Sequence, residues 1–559
     1  MTTFSHALKH KYLQNRTKTV LVLQQAGKAD LEMTSEDILH GAAGYARLLE
    51  QAGIQPGEVV ILILQHGVEH VCAYFGAILH GAIPSIMPFL TEKLLPERYR
   101  ADLAALLEVT RPAAILTYAE FTAEVNGAVP PDSSVRRVLL INDAPPPQPP
   151  DFERLAGFRR SPEDVVLLQH SSGTTGLQKG VALSHRAVLN QLESYARALD
   201  LREDDVVVSW LPLYHDMGLI AGFLMPLLLG IPLVLLSPFD WVRAPARLLQ
   251  AVSRYRGTLS WLPNFAYTFC AQKIRERDLQ GVDLSSWRAV SNCSEPMRLE
   301  SHQAFYQRFA PYGLRYQALT TCYAMAENVF AVTQGGIRSP VTVERIDREG
   351  MQSEWLARPA AEGREAVVML SAGKPIENVE VKIVDGEGRK LAERQIGEIA
   401  LRSNCMLSSY YNRPDATAKA FLDGWYLTGD YGYLAAGEVY ITGRKKDLII
   451  VGGKNVYPQD IEALAMSVAG VHPGRVVAFG VYNESLGTEE VYIVAEVESG
   501  QPADQERIAD TIRLVVNQGC AIAVRQVHLV APGWLIKTSS GKTARGANRE
   551  KYLKQQEKI

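Results

Sequence analysis

The stretch VVLLQHSSGTTGLQKG at residues 165–180 guides the interpretation of the whole chain. It begins with a mainly apolar run, which is typical of a strand buried on both faces. Downstream, RAVLNQLESYARAL at residues 186–199 has the residue pattern of a helix. The loop between them combines glycines, hydroxyls and Lys179, which suits backbone amides and a positive charge that hold phosphate oxygens. A glycine-rich connection of this kind can also be an ordinary loop.

Other apolar runs extend this pattern. PLVLLS at residues 232–237 and AVVMLS at residues 366–371 also lack polar alternation, and stretches long enough for helices separate them. We therefore predict an α/β fold in which a large N-terminal domain of parallel or mixed sheets is flanked by helices. The interpretation places this domain at residues 1–444.

The sequence changes character after GRKKD at residues 443–447. A glycine turn is followed by a helix-like run and by two strand-like runs, RVVAFGVYN and EVYIVAEVE. These elements predict a small α+β C-terminal domain, which we place at residues 445–559.

Composition limits the classes of partner. The 559 residues carry a net charge of only -3, so the charge balance gives no indication of a nucleic-acid partner. Six scattered cysteines form neither a zinc motif nor a disulfide framework, and the polar N-terminus does not resemble a secretory signal. We expect a cytoplasmic protein.

One uncharged segment, residues 219–239, is long enough to raise the alternative of a membrane span and hence of a transporter. Pro226, Gly230 and Pro232 interrupt this segment. We therefore interpret it as a buried helix, a turn and a buried strand, without an integral membrane span.

The glycine-rich loop is not a Walker P-loop, because G-x-x-x-x-G-K-[ST] is absent. It resembles instead the phosphate loop of the acyl-adenylating superfamily, which includes acyl-CoA synthetases, luciferases, adenylation domains of peptide synthetases and fatty acyl-AMP ligases. Gln178 departs from that pattern, since the family usually has proline there. Five further segments resemble the family's motifs in the same order: CYAMAEN (322–328), WYLTGD (425–430), GRKKD (443–447), GGKNVYPQDIE (452–462) and KTSSGK (537–542).

The resemblance implies ATP and Mg²⁺, and it suggests which residues bind them. Tyr323 would stack on the adenine, Asp430 would accept hydrogen bonds from the ribose, and Glu327 together with Thr175 would hold Mg²⁺. A buried tyrosine, a turn aspartate or a solvated glutamate is the ordinary alternative at these positions. The implied nucleotide-binding set is Ser171, Ser172, Gly173, Thr174, Thr175, Gly176, Lys179, Tyr323, Asp430 and Arg444.

The resemblance also implies that the small domain moves about a hinge at Lys446. Lys542 would approach the substrate carboxylate and the α-phosphate and neutralise the charge that develops there. Glu327 and His215 would complete the catalytic residues, although a lone histidine is as often structural. The two loops would then meet only when the small domain closes, and rotation after pyrophosphate release would withdraw Lys542.

Segments 210–230, 262–274 and 283–297 resemble the fatty acyl-AMP ligase branch, which implies a fatty acid substrate. Met217 and Phe265 are the candidate acyl-binding residues. A long detour between Asn328 and Ser371 resembles the insertion of that branch, which implies transfer to the phosphopantetheine of an acyl carrier protein acting in trans. A fatty acyl-CoA ligase is the alternative enzyme, and a catalytically silent adenylate-binding protein is the alternative outside enzymes.

Overall fold

The computed structural model describes residues 3–89, 96–170, 179–498, 502–538 and 541–556. The helices in these ranges are α1 Phe4–Gln14, α2 Ser35–Gln51, α3 Val68–His80, α4 Pro96–Thr110, α5 Thr122–Ala128, α6 His185–Ala198, α7 Met225–Leu229, α8 Pro238–Arg243, α9 Ala246–Tyr255, α10 Asn264–Lys273, α11 Leu299–Phe309, α12 Arg348–Ser353, α13 Pro414–Ala420, α14 Pro458–Met466, α15 Pro502–Cys520 and α16 Arg545–Gln556. The strands are β1 Thr19–Gln24, β2 Leu31–Thr34, β3 Val59–Leu62, β4 Ile83–Ile86, β5 Ala114–Thr117, β6 Arg137–Leu140, β7 Val165–His170, β8 Gly180–Ser184, β9 Val207–Ser209, β10 Leu233–Leu236, β11 Leu259–Pro263, β12 Ala289–Cys293, β13 Leu319–Thr321, β14 Thr333–Gln334, β15 Val343–Asp347, β16 Ala366–Leu370, β17 Lys374–Pro375, β18 Val379–Val384, β19 Gly397–Ser403, β20 Ser409–Tyr410, β21 Phe421–Leu422, β22 Trp425–Ala435, β23 Glu438–Arg444, β24 Ile449–Val451, β25 Lys454–Val456, β26 Val471–Asn483, β27 Thr488–Val497 and β28 Val524–Val530.

Two mixed seven-stranded sheets form the centre of the large domain. One has the order β13-β12-β11-β9-β10-β1-β2 and is parallel except between β1 and β2. The other has the order β20-β8-β7-β4-β3-β5-β6 and is parallel from β7 to β6. Their apolar strands are almost wholly buried because helices cover the sheets. The predicted α/β fold is confirmed.

A third, antiparallel sheet has the order β18-β19-β22-β21, with β23 paired to β22. One strand prediction is wrong. The run AVVMLS is predicted to be a buried parallel strand, but β16 forms a two-stranded antiparallel sheet with β15, and Val368 is 38% exposed. An apolar run alone does not distinguish a strand buried on both faces from a strand of a small, partly exposed sheet.

The uncharged segment 219–239 folds as the sequence indicates. A π-helical stretch from Met217 to Leu224 continues into α7, and Gly230 ends it in the left-handed conformation at φ 82°. The chain then enters the buried strand β10. Over the described ranges, none of the helices is long and apolar enough to cross a membrane.

Residues from β24 onward form a separate domain around the sheet β26-β27-β28. Helices α14 and α15 cover one face, where Ile461 and Ile512 are fully buried with Ala478. Helix α16 covers the other face, where Tyr552 packs with Phe479. The predicted boundary at residue 444 coincides with the end of β23 and stays a prediction.

The detour between Asn328 and Ser371 contains β14, β15, α12 and β16. Ile346 and Met351 from this detour lie in one hydrophobic cluster with Tyr433 of β22 and with Tyr457, which follows β25. The detour therefore packs against the start of the small domain as well as against the third sheet.

Candidate active site

The site lies beyond the carboxyl ends of parallel strands in the first large sheet. Tyr323 and Glu327 follow β13, and His215 follows β9. Crevices at such strand ends are the usual binding places of α/β sheets. Lys179 immediately precedes β8 of the second sheet. The predicted phosphate-loop residues Ser171, Ser172, Gly173, Thr174, Thr175 and Gly176 lie outside the described residues.

Lys179 and Glu327 meet at one tyrosine. The Lys179 Nζ lies 4.3 Å from the centre of the Tyr410 ring, and the Tyr410 hydroxyl donates to Glu327 Oε1 at 2.8 Å. The Tyr410 and Tyr426 hydroxyls lie 3.0 Å apart. The sequence analysis missed Tyr410, which belongs to none of the motifs quoted and is 83 positions from Glu327.

Glu327 sits in a 3-10 turn, Ala326–Asn328, that directs its carboxylate into the site. Burial raises the pKa of Glu327, while the Tyr410 hydroxyl lowers it and the nearby Asp216 carboxylate raises it. The pKa of Asp216 is itself raised by burial. Two partly desolvated carboxylates close together favour a bound cation.

Three of the predicted nucleotide-binding residues lie together, namely Tyr323 after β13, Asp430 on β22 and Arg444 on β23. The Tyr323 hydroxyl donates to Asp430 Oδ2 at 2.7 Å. Asp430 pairs in register with Arg444, and Arg444 Nε lies 3.8 Å from Asp430 Oδ1. Burial raises the pKa of Asp430, and the Arg444 charge opposes that shift most strongly. Lys446 follows in a 3-10 turn, and burial together with Arg444 lowers its pKa.

Lys542 comes to this site from the small domain. Its backbone carbonyl accepts a hydrogen bond from the Thr538 amide at 2.8 Å, and residues 541–545 are called the Lys542 segment below. The Lys542 charge helps to lower the pKa of His215, which burial brings to about 3, and it lowers the pKa of Asp216 against the effect of burial. Lys542 is therefore an electrostatic neighbour of both residues, and His215 is neutral at physiological pH.

Arg545 fixes the Lys542 segment to the rest of the small domain. Its guanidinium forms ion pairs with Asp447 at 2.5 Å and with Glu462 at 2.8 Å. It also donates to the Ala478 carbonyl at 2.9 Å. Asp447 belongs to the same turn as Lys446. The turn that contains the predicted hinge residue Lys446 and the Lys542 segment are thus joined through one side chain.

Met217 and Phe265 lie at an aromatic and sulfur-rich wall. The Ser294 hydroxyl lies 3.8 Å from the Met217 sulfur, and the backbone amide of Phe265 donates to Glu295 Oε2 at 2.9 Å. The Phe265 ring contacts Trp210 and Trp241, whose own rings stack at 3.5 Å. Trp210 is the first residue of the quoted segment 210–230. The sequence therefore contained a signal for an aromatic side chain at this wall, although the sequence analysis did not name it.

Known proteins share this architecture. A family model described as AMP-binding enzyme matches residues 9–411. JamA of Moorena producens, a medium-chain fatty acid–acyl carrier protein ligase, is 31% identical over 97% of this chain and 93% of its own. FadD32 of Mycobacterium marinum, a long-chain fatty acid–AMP ligase, is 32% identical over 89% of this chain and 85% of its own. A solved chain from a study of fatty acyl-adenylate ligases of E. coli and L. pneumophila matches with a TM-score of 0.90, at 28% identity, over 100% of this chain and 99% of its own.

Proposed function

Because the chain belongs to the AMP-binding enzyme family and is an AMP-forming ligase, we propose that it activates a fatty acid with ATP and passes the acyl group to a separate acyl carrier protein. The first half-reaction would form acyl-adenylate and release pyrophosphate. The second would form a thioester on the carrier's phosphopantetheine and release AMP.

One observation carries the proposal. Lys542 of the small domain lies close enough to His215 and Asp216 of the large domain to change both pKa values. Glu327 is also an electrostatic neighbour of Asp216. A lysine brought by a second domain to two partly buried carboxylates suits the charge that builds on a carboxylate and a phosphate as they react.

In the first step a carboxylate oxygen of the acid would attack the α-phosphorus, and the bond to pyrophosphate would break. Lys542 would bind both reacting oxygens and stabilise their charge. Tyr323 would stack on adenine, while Asp430 would accept hydrogen bonds from the ribose with Arg444 beside it. The Tyr323 hydroxyl already fixes the Asp430 carboxylate at 2.7 Å, so this part of the site is preorganised.

Glu327 fits a magnesium ligand. Its carboxylate is partly desolvated, retains one hydrogen bond from Tyr410 and has a raised pKa, so a hard cation would stabilise its ionised form. Mg²⁺ is usually held by one or two carboxylates together with substrate phosphates. When bound, it would neutralise phosphate charge, and we propose Thr175 as the accompanying loop residue.

The acid would lie along the wall formed by Met217 and Phe265. Phe265 is 38% exposed, whereas Trp241 behind it is fully buried. The first residue therefore faces the entrance, and the second forms part of the fixed wall. His215, neutral and adjacent to Met217, would shape the junction between the acyl chain and the nucleotide.

The detour supports the carrier as acceptor. Met351 of α12 shares a buried cluster with Tyr457 of the small domain, so the detour can restrict the positions that domain takes about Lys446. JamA, by its name, acylates a carrier protein. CoA is the alternative acceptor, and it would require the small domain to leave this contact more freely.

The test is a mass-spectrometric product assay with MgATP and fatty acids of increasing chain length. Each acid is incubated without acceptor, with CoA, and with a phosphopantetheinylated carrier. Lys542→Ala should lower acyl-adenylate formation by about 10²–10³-fold, whereas Lys554→Ala, at an exposed lysine of α16, should leave it unchanged. Acyl-adenylate with carrier loading and no acyl-CoA supports the proposal. Abundant acyl-CoA would favour the CoA ligase, and no adenylate with any acid would contradict the activity.

A further inference from the structure

Residues 457–460, the YPQD sequence, connect the two domains at several points. Tyr457 is 4% exposed and packs among residues of the large domain. Gln459 Nε2 donates to the Thr442 carbonyl at 2.6 Å. Arg298 Nη2 donates both to the Gln459 carbonyl at 2.8 Å and to Asp460 Oδ1 at 3.0 Å. The start of α14 is therefore bonded to the large domain by the Gln459 side-chain amide, by the Gln459 backbone carbonyl and by the ion pair of Asp460 with Arg298.

The large-domain partner of this contact is held in place. The Arg298 amide donates to Asn264 Oδ1 at 3.1 Å, and Asn292 of β12 donates to the same oxygen at 2.9 Å. Arg298 also occupies the N-cap position of α11. Its guanidinium thus extends from a segment fixed to the strand ends that build the active site.

The side chains of Tyr457 and Gln459 also lie close to the backbone of Gly443, near the proposed hinge. A Cβ at Gly443 would lie 2.9 Å from Gln459 Nε2 and 2.9 Å from Tyr457 Cδ1. Gly443 begins the GRKKD hinge segment, so no larger side chain fits there while residues 457–460 keep this position.

We infer that Arg298 is a positioning residue. It holds Gln459 and Asp460, at the start of α14, so that the small domain keeps the arrangement that places Lys542 in the active site. The inference rests on the proposed function and extends it. When the small domain rotates for acyl transfer, these bonds break.

We call the contact of Arg298 with Gln459 and Asp460 the latch. It is weak enough to open and close reversibly. The Arg298 and Asp460 side chains are 31% and 28% exposed, so water can replace either partner when they separate. A fully buried ion pair would cost far more to open. Because the guanidinium also bonds the Gln459 carbonyl, removal of Asp460 alone leaves one of the two bonds.

The test uses Arg298→Glu, Asp460→Arg and the charge-swapped double variant. Arg275→Glu is the matched control, because Arg275 forms an exposed ion pair with Asp278 inside the large domain. Acyl-adenylate formation at saturating substrates is measured separately from acyl transfer, which starts from purified acyl-adenylate. Interaction energies of contacting residues predict a loss of about 10-fold in adenylate formation for Arg298→Glu.

The expected pattern is specific to a latch. Adenylate formation falls in both single variants and recovers to within about 3-fold in the double variant, while acyl transfer is unchanged or faster. The control retains both rates. Equal losses in both half-reactions, or no recovery in the double variant, would overturn the inference, since a merely structural contact predicts them.

A measurement without substrate keeps this test independent of the proposed function. Glu203 on the large domain and Glu484 on the small domain, both exposed, are replaced by cysteines that carry spin labels. All six native cysteines are buried, which protects them from labelling. Pulsed electron paramagnetic resonance then gives the distribution of distances between the domains. Arg298→Glu should broaden or shift it, and the double variant should restore it. An unchanged distribution in Arg298→Glu overturns the latch, even if no acid is activated.

Discussion

Replacing Tyr410 with phenylalanine tests whether one hydroxyl prepares Glu327 for magnesium. The change removes the 2.8 Å bond to Glu327 Oε1 but retains the ring, which lies 4.3 Å from the Lys179 Nζ. Lys179 therefore keeps its aromatic contact, and the lost contacts are the hydrogen bond to the Glu327 carboxylate and the 3.0 Å contact with the Tyr426 hydroxyl.

The magnitude follows from the charge of the acceptor. Hydrogen bonds to charged groups contribute about 1.5–3 kcal/mol, and each 1.4 kcal/mol corresponds to a factor of about 10. Glu327 is only partly buried, so water replaces some of the lost bond. We expect the lower end of that range, about a 10-fold higher Mg²⁺ concentration for half-maximal activity.

The pH dependence should change in the same variant. The Tyr410 hydroxyl lowers the pKa of Glu327, which burial raises. Without that hydroxyl the pKa of Glu327 rises further, so protonation sets in at a higher pH and the acid limb of the rate profile moves upward.

The assay is initial pyrophosphate release over a series of Mg²⁺ concentrations at several pH values. Tyr411→Phe, at the next residue in the chain, is the control for a lost phenol hydroxyl nearby. If Tyr410→Phe shows the same Mg²⁺ dependence and the same acid limb as the wild type, the hydroxyl does not prepare Glu327 and the reasoning fails.

Three further predictions concern other parts of the molecule. Lys542→Ala should lower adenylate formation by about 10²–10³-fold, the usual loss of one transition-state donor, whereas acyl transfer from supplied acyl-adenylate stays within a few-fold; equal loss in both assays would contradict the assignment. Glu327→Gln should raise the thermal midpoint of the ligand-free protein at pH 8, because burial raises the folded-state pKa of Glu327 and its ionised form destabilises the fold. That gain should vanish below the pKa of the unfolded state, and its persistence at pH 3.5 would refute the linkage. Trp241→Ala should lower the free energy of unfolding by about 3–5 kcal/mol in urea titration, because the side chain is fully buried and stacked on Trp210, and a loss below about 1 kcal/mol would show that the wall is not rigid.

The sequence predicted those parts of the site that depend on local motifs. Tyr323, Asp430 and Arg444 come from three separate motifs, and the structure brings Tyr323, which follows β13, to Asp430 and Arg444 on the adjacent strands β22 and β23. Short patterns signal such residues because a turn or strand end fixes each one locally. Their catalytic and binding roles stay predictions, as does the cytoplasmic location.

Residues that act through the tertiary fold carried no such signal. Tyr410 reaches Glu327 across 83 positions, and Arg298 reaches Asp460 across 162. Tyr410 and Arg298 belong to no motif in their own segments. Their partners become visible only when distant elements pack together in the fold. The error at β16 has a related cause, because its burial depends on its pairing with β15 in a two-stranded sheet rather than on its own composition.

The distribution of ion pairs fits the proposal that Lys542 serves one half-reaction and is withdrawn for the other. Arg545 joins the Lys542 segment to Asp447, beside the predicted hinge residue, and the three side chains of its two ion pairs are only 13–17% exposed. Rotation at Lys446 would therefore carry Lys542 together with the rest of the small domain. The ion pair between Arg298 of the large domain and Asp460 of the small domain is about twice as exposed. Because the more buried pairs lie within the small domain and the more exposed pair lies at its boundary, the proposed rotation would preserve the surroundings of Lys542.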